Sequence, residues 1–362
     1  MTTTSEFLRA NFNGDLVSGP FGSQGDLLLF DNFGNKAIWL EDGSGGRLAS
    51  APNGLNLPFT GPTWHIAAAT DFDNGAHFVS PGGNNPTSAA DLLWENDNGD
   101  LAIWQSTGSN TNPFAPGTFQ QANLPNPGAG WHVASADDFD ANQAADILFQ
   151  HDLGFLAIWE FQSFDPNHNG ANYLQGAPVI KPGGQFNVDQ NPGASWHAVA
   201  TGDIDNDQRA GIVFQNDNGA IAVWEAPNVV GTQIHFSVQS NLPVAGPGWH
   251  VVGMGNTTED AFFSGDDIVL RHDNGSIAIW QLQVVGNQVV RQGTGFNLGN
   301  PGPDWHVVGV RDMNLDGHAD LLLQNDNGAA AVWTNIQPNG NHSVLNINPN
   351  PNPSGHLDWH IE

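Results

Sequence analysis

The sequence predicts an all-β protein, a single closed β-propeller of six four-stranded blades spanning residues 1–362. Three features predict it. A glycine turn of the Asn-Asp-Asn-Gly kind, followed by a short strand ending in Trp, occurs six times, at Trp39, Trp104, Trp159, Trp224, Trp280 and Trp333. A Trp-His pair opening a β-rich run also occurs six times, at Trp64, Trp131, Trp196, Trp249, Trp305 and Trp359. The two series alternate, and successive Trp-His pairs stand roughly 53 to 67 residues apart, which suits propeller blades and exceeds most solenoid repeats.

In the last complete unit, Trp305-His-Val-Val-Gly-Val310 reads as a first strand and Asp312 to Asp320 as an acidic loop. The second strand, of the type Asp-Leu-Leu-Leu-Gln, is apolar enough to be buried on both faces. The Asn-Gly turn predicts a tight hairpin to the third strand, because its positive φ matches strand twist. His235 to Gln239 and Ser343 to Ile347 suggest a fourth strand. A Pro/Gly loop carrying an Asn, as in Asn123-Leu-Pro, Asn241-Leu-Pro and Asn297-Leu-Gly, then leads into the next Trp-His. No segment carries a helical period. The first copy has Trp39 but no preceding Trp-His, while Trp359-His360 has no hairpin after it. This offset predicts that the C-terminal strand joins the N-terminal blade, where Phe7 to Asp15 supplies the end of the same strand. Closure of this kind removes exposed sheet edges.

Composition agrees with a turn-rich β fold. The chain has 44 Gly and 23 Pro, yet its 13 Trp and 21 Phe are too many for a disordered segment. Net charge is −29, from 37 acidic against 8 basic residues. Nucleic acid is excluded as a partner, since displacing phosphate counterions takes Lys and Arg, and anionic membrane surfaces are disfavoured for the same reason. With no cysteine, disulfide and thiolate chemistry are excluded. No apolar run approaches a membrane span and no signal peptide is visible, so the expectation is a soluble chain of open compartment and open oligomeric state.

The acidic loops suggest a cation. Asp312, Asn314, Asp316 and Asp320 fall at positions 1, 3, 5 and 9, Gly317 permits a sharp turn, and the His318 carbonyl is a natural further ligand. Alternate residues of such a loop turn their oxygens inward, and a closing carboxylate completes an oxygen cage suited to Ca²⁺. Asp138, Asp140, Asn142 and Asp146 repeat the pattern. Asp203, Asp205 and Asp207 follow it too, but Gly211 replaces the closing acid. The other copies depart from it: Asp71 and Asp73 lead into an insertion before Asp91, and Asn256 to Asp260 scarcely matches. The expected role of Ca²⁺ is structural. Against it stands the preference of Asp and Asn for turns of any kind.

The run Asp-Met-Asn-Leu-Asp-Gly-His-Ala-Asp-Leu-Leu-Leu, preceded by Trp-His-Val-Val-Gly-Val, resembles the FG-GAP/VCBS repeat family. Repeats of that family build propellers in integrin α-subunit heads, in many bacterial surface and secreted proteins and in a fungal lectin. The resemblance implies a propeller with Ca²⁺ loops; as to function it implies binding, with different partners in different members.

Twelve of the 13 Trp occupy the two repeat positions. One reading is structural, with indoles wedged where twisted sheets splay. The other is a ring of equivalent pockets for glycans. Sugars need an aromatic face for their C–H patch and planar polar groups for their hydroxyls, and near-identical weak sites gain by multivalency. On that reading all twelve Trp take part, with Asn216, His272 and Asn325 of the hairpin turns. The six His after Trp are expected to be structural, bonded to neighbouring backbone. No catalytic motif is present, so the function expected is a multivalent lectin rather than an enzyme. A protein-binding adhesion or scaffold propeller is the alternative.

Overall fold

The structure, a computed structural model, describes residues 9–10, 26–31, 36–39, 55–58, 60–72, 90–106, 119–162, 178–258, 265–313, 316–347 and 359–361. Among these, all regular structure is β-strand. Sheet two runs Trp64–Thr70, Asp91–Asn96, Leu101–Gln105 and Gln120–Leu124 in simple antiparallel order. Sheet six does the same with Trp305–Arg311, Asp320–Asn325, Ala330–Thr334 and Ser343–Ile347.

Sheet three (Trp131–Asp137, Asp146–His151, Leu156–Phe161, Ile180–Val188) and sheet four (Trp196–Gly202, Gly211–Asn216, Ile221–Val230, Gln233–Asn241) have the same internal order. Their fourth strands pair in parallel, Asn187 with Gln233 and Val188 with Ile234, so the two form one eight-stranded sheet. Gln190 extends the junction: its side-chain amide donates to Phe236 O and accepts from Phe236 N, both at 3.0 Å. Sheet five consists of Trp249–Gly255, Asp267–His272, Ile277–Trp280 and Phe296–Gly299, with a separate hairpin, Leu282–Val285 and Gln288–Arg291, inserted before its last strand.

Sheet one draws on both ends of the chain. Its second strand, Asp26–Asp31, pairs on one edge with Lys36–Trp39, which pairs in turn with Leu55–Asn56. On the other edge, Arg9–Ala10 pairs with Leu27 and Asp26, and Trp359–Ile361 pairs with Asp31 to Leu29. The N- and C-terminal strands thus share one edge, as the offset of the two Trp series predicts.

Burial follows from position in the sheet. Second and third strands, covered on both faces, are almost wholly buried, as in Asp146–His151 and Leu156–Phe161. First strands alternate until an irregularity after the third residue; Val307 pairs with Leu323 and Gly309 with Leu322, leaving Val308 as the extra residue of a bulge. The same shift recurs in sheets two to five, and nothing in the composition of these strands announces it.

One expectation for local structure is refined and one corrected. The hairpin turn is tight as expected, but the positive φ belongs to its glycine alone. Asn96 O accepts from Gly99 N at 2.7 Å and Asn96 N donates to Asp100 O at 2.8 Å, giving a three-residue turn. Only its glycine has positive φ, +84° at Gly99 and +85° at Gly328. Asn123, Asn241 and Asn297 belong to fourth strands and not to the following loops.

Successive sheets are stitched at both ends of their first strands. At the starting end, a residue of one sheet reaches the backbone of the next. Gln150 donates to Trp196 O (2.6 Å) and accepts from Ala198 N (2.9 Å), and Gln215 does the same with Trp249 O and Val251 N (2.8 and 3.0 Å). Arg271 donates to Trp305 O at 2.7 Å, and Lys36 to Trp64 O at 3.0 Å. At the far end, the backbone N–H before the second strand of sheets three to six donates to the preceding sheet's acidic loop: Ala145 to Asp71 O, Ala210 to Asp138 O, Asp266 to Asp203 O and Ala319 to Asn256 O.

Glu95 occupies the Gln150 position in sheet two, and there it can only accept, from Val133 N at 3.4 Å. Burial raises its pKa, against the Val133 N–H and the charges of His132 and His65. A folded-state pKa raised above the unfolded value gives stability that is full at low pH and lost as pH rises through the folded value. Glu95→Gln restores the missing donor to Trp131 O. It should raise stability near neutral pH by about 1 kcal/mol and flatten that pH dependence, as read from thermal melts between pH 4 and 8.

Candidate functional site

At the starting end of the first strands of sheets two to six, the histidine after the Trp is exposed and its Nε2 meets an aspartate of the hairpin turn. The pairs are His65–Asp97 (2.9 Å), His132–Asp152 (3.1 Å), His197–Asp217 (2.8 Å), His250–Asp273 (2.9 Å) and His306–Asp326 (2.8 Å). This corrects the expectation of backbone-bonded histidines: strand pairing sets the start of the first strand beside the turn, so the imidazole reaches the turn carboxylate first. Trp359 and Trp39 lie in described strands, but their side chains lie outside the described residues.

The two Trp series separate clearly. Trp104, Trp159, Trp224, Trp280 and Trp333 are 5–8% exposed. Aromatic neighbours cover them: Trp94 at 4.6 Å from Trp104, Phe149 at 4.7 Å from Trp159, Phe214 at 4.9 Å from Trp224 and His342 stacked at 4.1 Å on Trp333. Arg291 lies over the Trp280 ring at 4.6 Å. Buried so, these five indoles present no face to a sugar, which corrects their inclusion in the expected site. Trp64, Trp131, Trp196, Trp249 and Trp305 are only half-buried.

The turn residues also have prior duties. Asn216 Oδ1, His272 Nδ1 and Asn325 Oδ1 accept from the backbone N–H two residues on, at 3.0–3.1 Å, and Asn216 Nδ2 donates to Ser195 Oγ. They hold the turn, and His substitutes for Asn because its Nδ1 stands where Asn Oδ1 would. Around the starts of sheets two to five opens a cavity of about 1140 Å³, lined among others by His65, His132, Trp196, His197, Trp249 and His250.

At the far end lie the acidic loops. The closing acid is first of all a structural group: Asp146 accepts from Phe139 N and Phe161 N (2.9 and 2.8 Å), and Asp91 from Phe72 N and Ser106 N (3.2 and 2.9 Å). Among the described residues, two loops gather carboxylates able to hold a metal ion, Asp138 with Asp140 and Asp146, and Asp203 with Asp205 and Asp207. Asn142 is committed elsewhere, donating to Phe161 O at 2.8 Å and accepting from Ala144 N at 2.7 Å. In the sixth sheet, Asp312 accepts from Gly317 N and Asp316 from His318 N, both at 2.9 Å, and Asp320 from Met313 N; Asn314 lies outside the described residues.

The electrostatics of these loops are unfavourable to bare carboxylates. Burial, with the charges of Asp140 and Asp138, pushes Asp146 up to about 9 despite its two backbone N–H donors. Burial also raises Asp138, Asp203 and Asp205. Glu225, outside the predicted set, is pushed up to about 8 by burial and then by the charges of Asp205, Asp207 and Asp203. Lys181 was equally unforeseen: its Nζ sits 2.7 Å from both Asp140 and Glu160. Burial pulls its pKa down, but these two partners outweigh that and hold it above its ordinary value.

Neither a protein-family model nor a curated protein matches the chain.

Proposed function

We propose that the chain is a six-bladed propeller of the FG-GAP/VCBS type that binds carbohydrate at the Trp-His ends of its first strands, with Ca²⁺ steadying some acidic loops. The architecture is supported by the two series of inter-sheet bonds and by the terminal strands' shared edge. The binding reading is carried by one observation: a half-buried Trp beside an exposed His–Asp pair recurs in five sheets, and four of these, sheets two to five, border one cavity. An indole face suits the apolar C–H patch of a sugar, and imidazole and carboxylate suit its hydroxyls. Repetition makes weak sites strong towards a branched or surface-bound glycan.

A glycan array followed by calorimetry tests it. Binding is expected, and the double variant His197→Ala/His250→Ala should weaken it about ten-fold while leaving the melting temperature nearly unchanged, since both histidines are exposed. Absence of binding to any glycan, with and without Ca²⁺, sinks the reading. A second reading, protein adhesion, is favoured by exposed valines on two outer hairpins, Val229 and Val230 in sheet four and Val285 in the sheet-five insertion.

A further inference from the structure

The fourth sheet's acidic loop lacks the carboxylate that closes its neighbours, and a residue from another strand stands in for it. Asp91, Asp146 and Asp320 open their second strands; Gly211 opens the equivalent strand in sheet four. A Cβ on Gly211 would fall on Oε2 of Glu225, so the glutamate occupies the space of the missing aspartate side chain. Glu225 Oε1 accepts from Ala226 N at 2.9 Å. Asp146 Oδ1 makes the corresponding bond one sheet earlier, from Phe161 N at 2.8 Å; Phe161 and Ala226 each lie two residues beyond the hairpin Trp.

The substitution is incomplete in one respect. Glu225 is 0% exposed, yet its Oε2 has no hydrogen-bonding partner. A buried carboxylate oxygen left unpaired is costly, and buried charges are otherwise paired or bound to metals. Asp203, Asp205 and Asp207 bring oxygens within 4.8 Å of one another, and the charges of all three act on Glu225. Among the described residues, none of these four carboxylates pairs with a basic side chain. Sheet three supplies the contrast. Glu160 holds the position of Glu225, one residue past its Trp, but there Lys181 bridges Glu160 and Asp140.

We infer that a hard divalent cation, with Ca²⁺ the best match to an all-oxygen ligand set, binds the fourth-sheet loop through Asp203, Asp205, Asp207 and Glu225, and that Lys181 takes the cation's part in the third. The inference rests on the calcium reading above and narrows it to one loop and one ligand from outside that loop. The loop with the more complete motif carries its own positive charge. The loop that has lost the motif's last residue is the one left needing an ion.

The test uses the full chain, stripped with chelator and titrated with CaCl₂, followed by calorimetry and thermal melting. The wild type should bind and melt higher as Ca²⁺ is added. Glu225→Gln has the shape of a protonated glutamate. In chelator it should melt at or above the wild type, and it should bind Ca²⁺ at least about ten-fold more weakly. Gly211→Asp/Glu225→Ala returns the carboxylate to the loop and should regain binding. Wild-type Ca²⁺ binding that survives both Glu225→Gln and Asp205→Asn overturns this assignment; if Asp312→Asn then abolishes it, the ion belongs to the sixth sheet and the calcium reading stands. No binding by the wild type overturns both.

Discussion

Trp224→Ala should cost about 4 kcal/mol of stability, the largest loss expected from any single side chain considered above. The indole is 7% exposed, with Phe214 at 4.9 Å on the second strand and Phe236 at 6.0 Å on the fourth. It belongs to a core cluster that spans sheets three and four, with Leu148 and Ile158 on one side and Ile212 and Ala222 on the other. Truncation would therefore remove transfer free energy and leave a cavity walled by two stiff sheets that cannot collapse into it. In a chain of this length the melting temperature should fall by about 5 °C. Trp196→Ala, at a half-buried position, should cost appreciably less and act on ligand binding instead. A loss below about 1 kcal/mol for Trp224→Ala in denaturant melts would show that the hairpin Trp is not a core residue.

That contrast marks how far the sequence could be read. The repeat was legible because each unit announces itself twice, with a glycine turn before one Trp and a histidine after the other. The sharing of one sheet edge by the two termini followed from the phase of those markers alone. What the pattern could not separate was the two Trp positions. Both read as large aromatics at fixed offsets, and only strand pairing places Trp224 opposite Ile212 in the middle of the sheet and Trp196 at its end, opposite Asn216. Turn propensity does not explain Gln150 and Gln215 either. Their actual partners are backbone groups 46 and 48 residues away for Gln150, beyond the reach of any local rule.

The charge balance of the acidic loops was illegible for a related reason. A motif scores the residues within it, whereas the charge balance of the site depends on Glu160, Glu225 and Lys181, which lie on third and fourth strands. Lys181 is 41 residues from Asp140, across an insertion that no other unit has in the same form. No spacing rule connects the two. The signal available was weaker: Glu follows the hairpin Trp only at Glu160 and Glu225, where the other complete units have Gln105, Gln281 and Thr334. An acid in a position otherwise neutral, beside two of the most complete acidic loops, is the trace that a sequence reading could have followed.

Lys181→Met is the change that puts this charge balance to the proof, because its effect should depend on the ion present. In chelator, the variant leaves Glu160, 2% exposed, and Asp140, 14% exposed, facing each other without a cation. Losing one partner of a buried pair costs about 3 to 5 kcal/mol, and because the Lys181 side chain is itself 45% exposed the expected loss is nearer 2. With Lys181 gone, the third loop has Asp138, Asp140 and Asp146 beside an unpaired buried glutamate, the same combination as the fourth loop. Added Ca²⁺ should then bind at one more site per chain than in the wild type, and the melting temperature should recover much of what it lost. A purely structural salt bridge predicts the loss without the recovery. If Ca²⁺ leaves both the stoichiometry and the melting temperature of Lys181→Met unchanged, the ammonium is an ordinary ion pair, and the parallel drawn between the third and fourth loops fails with it.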